Sequence, residues 1–168
     1  AGNGFDLGYT TLPGADFVDL VIDVNKMTDP AIHDTGTGEI AKYTIAVNTD
    51  EFDISNVTVV DTLATGWGYC TGTNTPVAGC LPPVVTFPDG STSADGPNVS
   101  GQVLTWNSNC WKAGDADGTC NSGSPQQLDM APNQLLTIEY YIHTTAGHTA
   151  GSVTSSLVTA SGTRSVGI

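Results

Sequence analysis

The sequence predicts an all-β protein folded as a two-layer sandwich, and three observations predict it. Apolar residues recur at every second position in several segments, and no segment sustains a helical period. Twenty glycines and nine prolines punctuate the chain at short intervals, which fits short strands joined by turns. A chain of 168 residues is long enough to enclose a core between two sheets and short for a second domain.

Taken in order, the first strong strand is DFVDLVIDVNK, where Val18, Leu20, Ile22 and Val24 share one face. Turn residues at Thr28-Asp29-Pro30 and Asp34-Thr35-Gly36 lead into EIAKYTIAVNT, in which Ala41, Tyr43, Ile45 and Val47 lie opposite Ile40, Lys42 and Thr44. SNVTVVDTL offers Val57, Val59 and either Val60 or Leu63 for burial. WGYC follows, and from Cys70 to Asn98 the chain reads as irregular loop with short strands. GQVLTWNS resumes the alternation, with Val103 and Thr105 opposite Leu104 and Trp106. A second long Asp/Gly/Ser-rich loop covers Asn109 to Pro132. NQLLTIEYYIHTT then places Leu136, Ile138, Tyr140 and Ile142 on one face, and GSVTSSLVTASG sets Val153, Ser155 and Leu157 opposite Val158. About seven strands without helices point to an immunoglobulin-like β-sandwich, with an N-terminal arm over residues 1–15 and the sandwich over 16–168.

Seventeen acidic against four basic residues give a net charge of −13, which repels phosphate and excludes nucleic acid as a partner. No apolar run approaches the roughly 18 residues of a membrane helix, so no membrane span is expected. Only 12% of residues are charged, and the polar surface is left to Thr, Ser, Asn and Gly, the composition of a secreted surface protein. Ala1 followed by a small residue is what signal cleavage would leave. Cys70 and Cys80 lie ten apart, as do Cys110 and Cys120. That spacing is wide for zinc ligands and comfortable for disulfide-closed loops, so the local pairing is expected among three connectivities, together with an oxidising, extracellular compartment. Asn56-Val57-Thr58 and Asn98-Val99-Ser100 are N-glycosylation sequons.

The segments DLVIDVNKMTDP, GEIAKYTIAVNT, ISNVTVVDTLATGWGYC, QVLTW and MAPNQLLTIEYYIHTTAGHTAGSVTSSLVTAS follow one another in an order that resembles the surface-repeat family called domain of unknown function 11. The resemblance runs from Asp19 to Gly162. Ala64 stands where that pattern favours Pro, and SSL stands where Asn-Thr-Ala is typical. What it implies is a β-sandwich module of exported proteins at the cell surface, with no catalytic residues.

Candidate chemistry is sparse. His33, His143 and His148 are not spaced to hold a metal, and no anchored nucleophile motif is present, so neither an enzyme nor a cofactor is expected. Asp115-Ala116-Asp117-Gly118 and Thr49-Asp50-Glu51-Phe52-Asp53 carry carboxylates of the sort that bind Ca²⁺, but lack the remaining ligands of an EF-hand loop. Trp67, Trp106 and Trp111, with Tyr69, could form a stacking platform for a sugar ring. A Lys-to-Asn or Lys-to-Asp amide crosslink would need Lys26 or Lys42 beside such a group and an acid in the core, and the closing strand lacks Asn.

The segment GNGFDLGYTTLPGAD is different in kind. Phe5, Leu7 and Tyr9 alternate like a half-buried strand, yet Pro13-Gly14 separates them from the first strand of the sandwich. An alternating free segment can complete an unpaired sheet edge on another chain. Docking of each arm on the next copy is head-to-tail and generates an open polymer. The expected assembly residues are Phe5, Leu7, Tyr9 and Leu12, with Val166 and Ile168 as a second candidate strand. The expected role is therefore an extracellular structural subunit whose partners are copies of itself; the alternative is a carbohydrate-binding or adhesin module with glycans as partners.

Overall fold

The computed structural model describes residues 22–29, 38–70, 79–94, 96–108, 110–111, 126–149 and 156–164. Ten strands lie within these residues, and no helix. They are β1 (Ile22–Asp29), β2 (Ile40–Thr49), β3 (Ile54–Thr62), β4 (Trp67–Cys70), β5 (Val84–Thr86), β6 (Thr92–Ser93), β7 (Asn98–Ser100), β8 (Val103–Trp106), β9 (Leu135–Thr144) and β10 (Leu157–Arg164). Residues 1–15, read from the sequence as an arm and including Phe5, Leu7, Tyr9 and Leu12, lie outside the described residues, as do Val166, Ile168 and Cys120.

All pairings are antiparallel, and they build two sheets. The first runs β1-β2-β9-β5-β6 with β4 also on β9, and the second runs β10-β3-β8-β7. The long central strand β9 carries two short ones end to end on one side: Trp67–Cys70 opposes Thr144 to Tyr141, and Val84–Thr86 opposes Glu139 to Thr137. A disulfide between Cys70 and Cys80, with Cα atoms 5.6 Å apart, joins the end of β4 to the approach to β5. Closing a loop of this size stabilises by roughly 2 to 3 kcal/mol, which offsets the small core contribution of strands three or four residues long. Cys110 is buried and also disulfide-bonded.

The alternation read from the sequence carries through to the core. On β9, Leu136, Ile138, Tyr140 and Ile142 point inward, and on β2 Ala41, Ile45 and Val47 do the same with Tyr43 partly covered. They meet Val57, Val59 and Leu63 of the β3 segment, with Leu104 and Trp106 of β8. Leu63 rather than Val60 takes the inward position of the pair left open by the pattern. On β10 it is Val158 and Ala160 that pack on the core, while Leu157 is 66% exposed.

Strand β3 is bulged. Ser161 faces Thr58 and Thr163 faces Ser55, so β3 has one more residue than β10 across this step. Asn56 sits there at φ +56°, a left-handed conformation that Asn tolerates better than most residues. Opposite the bulge, a Cβ on Gly162 would collide with Ile54 Cγ2 and stand 3.0 Å from the Ser55 carbonyl oxygen, so only glycine fits. The closing part of the second long loop is not free of the core but covers the same region: Leu128 and Met130 are buried, the Val57 amide donates to the Leu128 carbonyl, and Ile54 and Met130 exchange backbone hydrogen bonds.

Neighbouring residues of β9 offer a direct check on this layering. Ile138→Ala, at a position with no exposure, is expected to lower the unfolding free energy by about 2 to 5 kcal/mol. Leu135→Ala, at 52% exposure, should change it by no more than about 0.5 kcal/mol. Urea unfolding of the two variants measures the contrast.

Candidate functional site

Among the described residues the inward faces of the two sheets are largely apolar, with Thr49, Ser93 and Thr144 also buried, and one place between them holds charge. Lys26 of β1 follows Ile22 and Val24 at two-residue steps and therefore points into the sandwich. Asp61 of β3 follows Val57 and Val59 in the same way from the other sheet. Their side chains are 8% and 0% exposed. Lys26 Nζ donates to both Asp61 oxygens at 2.8 Å and to Ser156 Oγ at 2.9 Å. The Tyr140 hydroxyl of β9 donates a hydrogen bond to Asp61 Oδ2.

Aromatic rings enclose this cluster. Lys26 Nζ stands 4.0 Å from the centroid of the Tyr43 ring, a cation–π distance. Tyr43 stacks on Tyr140 at 5.8 Å, and Trp106 and Tyr69 lie against Tyr140 at 5.4 and 6.3 Å. All three ammonium hydrogens are thereby used, and Asp61 keeps a partner on each oxygen.

The electrostatics follow from burial. Desolvation lowers the Lys26 ammonium from its ordinary value, and the bonds and charge of Asp61 oppose that shift. Burial raises the phenols of Tyr140, Tyr43 and Tyr69; the Asp61 charge adds to the effect at Tyr140 and Tyr43. On the outer face, Lys42 and Glu139 pair across β2 and β9 at 2.6 Å, a half-exposed bridge that solvent screens far more than the internal one.

The tryptophans do not form a stacking platform. Trp67, Trp106 and Trp111 are 6%, 0% and 2% exposed, so their faces are spent on the core. Trp111 Nε1 donates to the Val57 carbonyl oxygen at 2.8 Å and Trp67 meets the His148 ring at 5.2 Å. The reason is parity and covalent tethering: Trp106 shares its strand face with Leu104, and Trp111 is drawn inward beside buried, disulfide-bonded Cys110.

Trp111 and Phe87 instead contribute to a cleft of about 260 Å³ with Asp89, Ser91, Gln126 and Asp129 among its walls. A second cleft, lined by Asp53, Ser55 and Met130, shares Asp129 and Gln134 with the first. Both sequon asparagines are exposed, Asn56 on the β3 bulge and Asn98 at the start of β7. His143 lies on β9 and His148 in the turn beyond it, and Asp50, Glu51 and Asp53 are exposed in the β2–β3 connection. Among the described residues no three His, Cys, Asp or Glu groups converge as metal ligands. His33, Asp115 and Asp117 lie outside the described residues.

Each sheet also ends in an edge. Among the described residues no strand pairs with the outer side of β10, β7, β1 or β6. The β10 edge is eight residues long and carries Leu157, the most exposed of the large apolar side chains described.

No family model, curated protein or solved structure matches the chain. Among the described residues no helix is long and apolar enough to cross a membrane.

The raised phenols fix a pH dependence. A buried Tyr keeps its proton in the folded state above the usual value of about 10, where the unfolded chain releases it, so the folded state binds more protons and stability falls as pH rises. Tyr69 and Tyr140 are each expected to contribute a loss of about 1.4 kcal/mol per pH unit above pH 10, and half-covered Tyr43 less. Lys26, shifted downward, acts in the opposite sense, but only below its unfolded value. The phenolate absorbance that belongs to Tyr69 and Tyr140, obtained as the difference between the parent chain and Tyr69→Phe or Tyr140→Phe, should therefore rise in step with loss of the near-ultraviolet circular dichroism rather than ahead of it.

Proposed function

We propose that this chain is a secreted, cell-surface structural subunit with an immunoglobulin-like sandwich, and that it polymerises head-to-tail. Residues 1–15 form the arm, and Phe5, Leu7 and Tyr9 add as a strand to the edge of a neighbouring copy. The role is structural and needs no cofactor. The β10 edge carries the reading: it is long enough to accept a strand of about eight residues, it has no partner strand among the described residues, and it presents Leu157 to solvent. An edge of that kind is a template for another chain, and strand addition draws affinity from main-chain hydrogen bonds and selectivity from alternate side chains. The resemblance to the surface-repeat family, the disulfides and the exposed sequon residues Asn56 and Asn98 support an extracellular setting with glycans on the outer faces.

A second reading, a glycan-binding module, is favoured by one observation. The two clefts that share Asp129 and Gln134 offer carboxylates and carboxamides on their walls, with Phe87 and Trp111 in the wall of the first. The hydroxyls of a neutral oligosaccharide would find acceptors and donors there.

Removal of Ala1 to Thr11 separates these possibilities. Electron microscopy and sedimentation are expected to show polymers for the full chain and folded monomers for the shortened one. Polymers that persist after the deletion contradict arm donation. A monomer in both cases, less stable after the deletion, would mean that the arm completes its own sandwich; saturable oligosaccharide binding by that monomer would favour the second reading.

A further inference from the structure

The Lys26–Asp61 cluster holds the reactants for a covalent bond between the two sheets. We propose that Lys26 Nζ and the Asp61 carboxyl condense to an intramolecular amide, with Tyr140 as the proton donor to the departing oxygen. The absence of Asn from the closing strand removes a carboxamide route, but β3 supplies a carboxyl group directly. This inference stands apart from the polymer reading and does not depend on it.

Geometry is the first argument. A nitrogen 2.8 Å from both carboxyl oxygens stands opposite the carbon between them, near the ~3 to 3.5 Å approach of reacting atoms in a preorganised site. Displacement of the Lys26 nitrogen toward one face of the carboxyl group, a torsional change in its long side chain, brings it to the angle of attack on Cγ. The hydroxyl of Tyr140 already bonds to Oδ2, the oxygen that would leave, and Ser156 Oγ holds the ammonium from the other side.

Energetics supply the second argument. The ion pair is buried among Tyr43, Tyr140 and Trp106, where both charges lose the solvation that water would give them. An amide has no net charge and releases water from a site that excludes it. Burial also lowers the Lys26 ammonium, which favours the nucleophilic amine.

The step balances without any added reagent. A proton passes from the ammonium to the carboxylate, and the free amine attacks Cγ to form the N–C bond. Oδ2 then leaves as water when the Cγ–Oδ2 bond breaks, taking a proton from Tyr140, which recovers one from the nitrogen. Ammonium and carboxylate give amide and water, with no change in oxidation state.

The intact mass of the purified, disulfide-reduced full chain tests this. The expected mass is one water, about 18 Da, below that of the sequence, with a branched proteolytic fragment joining the peptides that contain Lys26 and Asp61. Lys26→Arg and Asp61→Ala should each restore the full mass. A wild-type chain at full mass overturns the proposal whether or not the variants fold. A deficit that maps to other residues, or that survives in Asp61→Ala, overturns it as well.

Discussion

A lysine and an aspartate facing each other across the interior of a β-sandwich constrain everything around them. Either charge alone in that environment would cost several kcal/mol, so the two sheets must approach at the spacing and register that bring Lys26 to Asp61. Shifting β1 by one residue against β2 would turn Lys26 out to solvent and leave Asp61 with only the Tyr140 hydroxyl. Such a pair adds little net stability over a well-packed apolar pair, because desolvation consumes most of the attraction. Its stronger effect here is selection of one arrangement among the many that Val, Ile and Leu alone would tolerate. The ring cage of Tyr43, Tyr140, Trp106 and Tyr69 fits this role, since it excludes water and places a π face under the ammonium.

Much of this was legible in the sequence, and the missed part has a physical cause. Two-residue alternation located β2, β8 and β9 and the inward residues of each, because a half-buried sheet imposes that period. The same parity runs from Ile22 and Val24 to Lys26, and from Val57 and Val59 to Asp61, so the inward direction of both charges was written in their strands. What parity cannot express is that two strands 35 residues apart, in different sheets, bring those positions together. Strands β4 and β5 left weak signals because they are too short to show a period; β9 and the Cys70–Cys80 bond position them. The tryptophans were ambiguous for the opposite reason, since a large ring serves equally in a core or on a sugar platform.

The same construction leaves the periphery open. Low charge density and a polar surface of small side chains give the outer faces few ion pairs, and the internal pair lies on the side of the sandwich where β1 and β10 close on each other. A polar tie between these margins, together with a bulge that only Gly162 of β10 can face, holds the two sheets together on that side.

The direct test of the internal pair is a double-mutant cycle of Lys26→Met, Asp61→Asn and their combination, followed by denaturant unfolding. The account expects each single change to cost about 3 to 5 kcal/mol, with the double variant recovering at least ~1 kcal/mol relative to the sum. Strict additivity, or single changes that leave stability unaltered, would contradict the claim that these two residues hold the sheets in register.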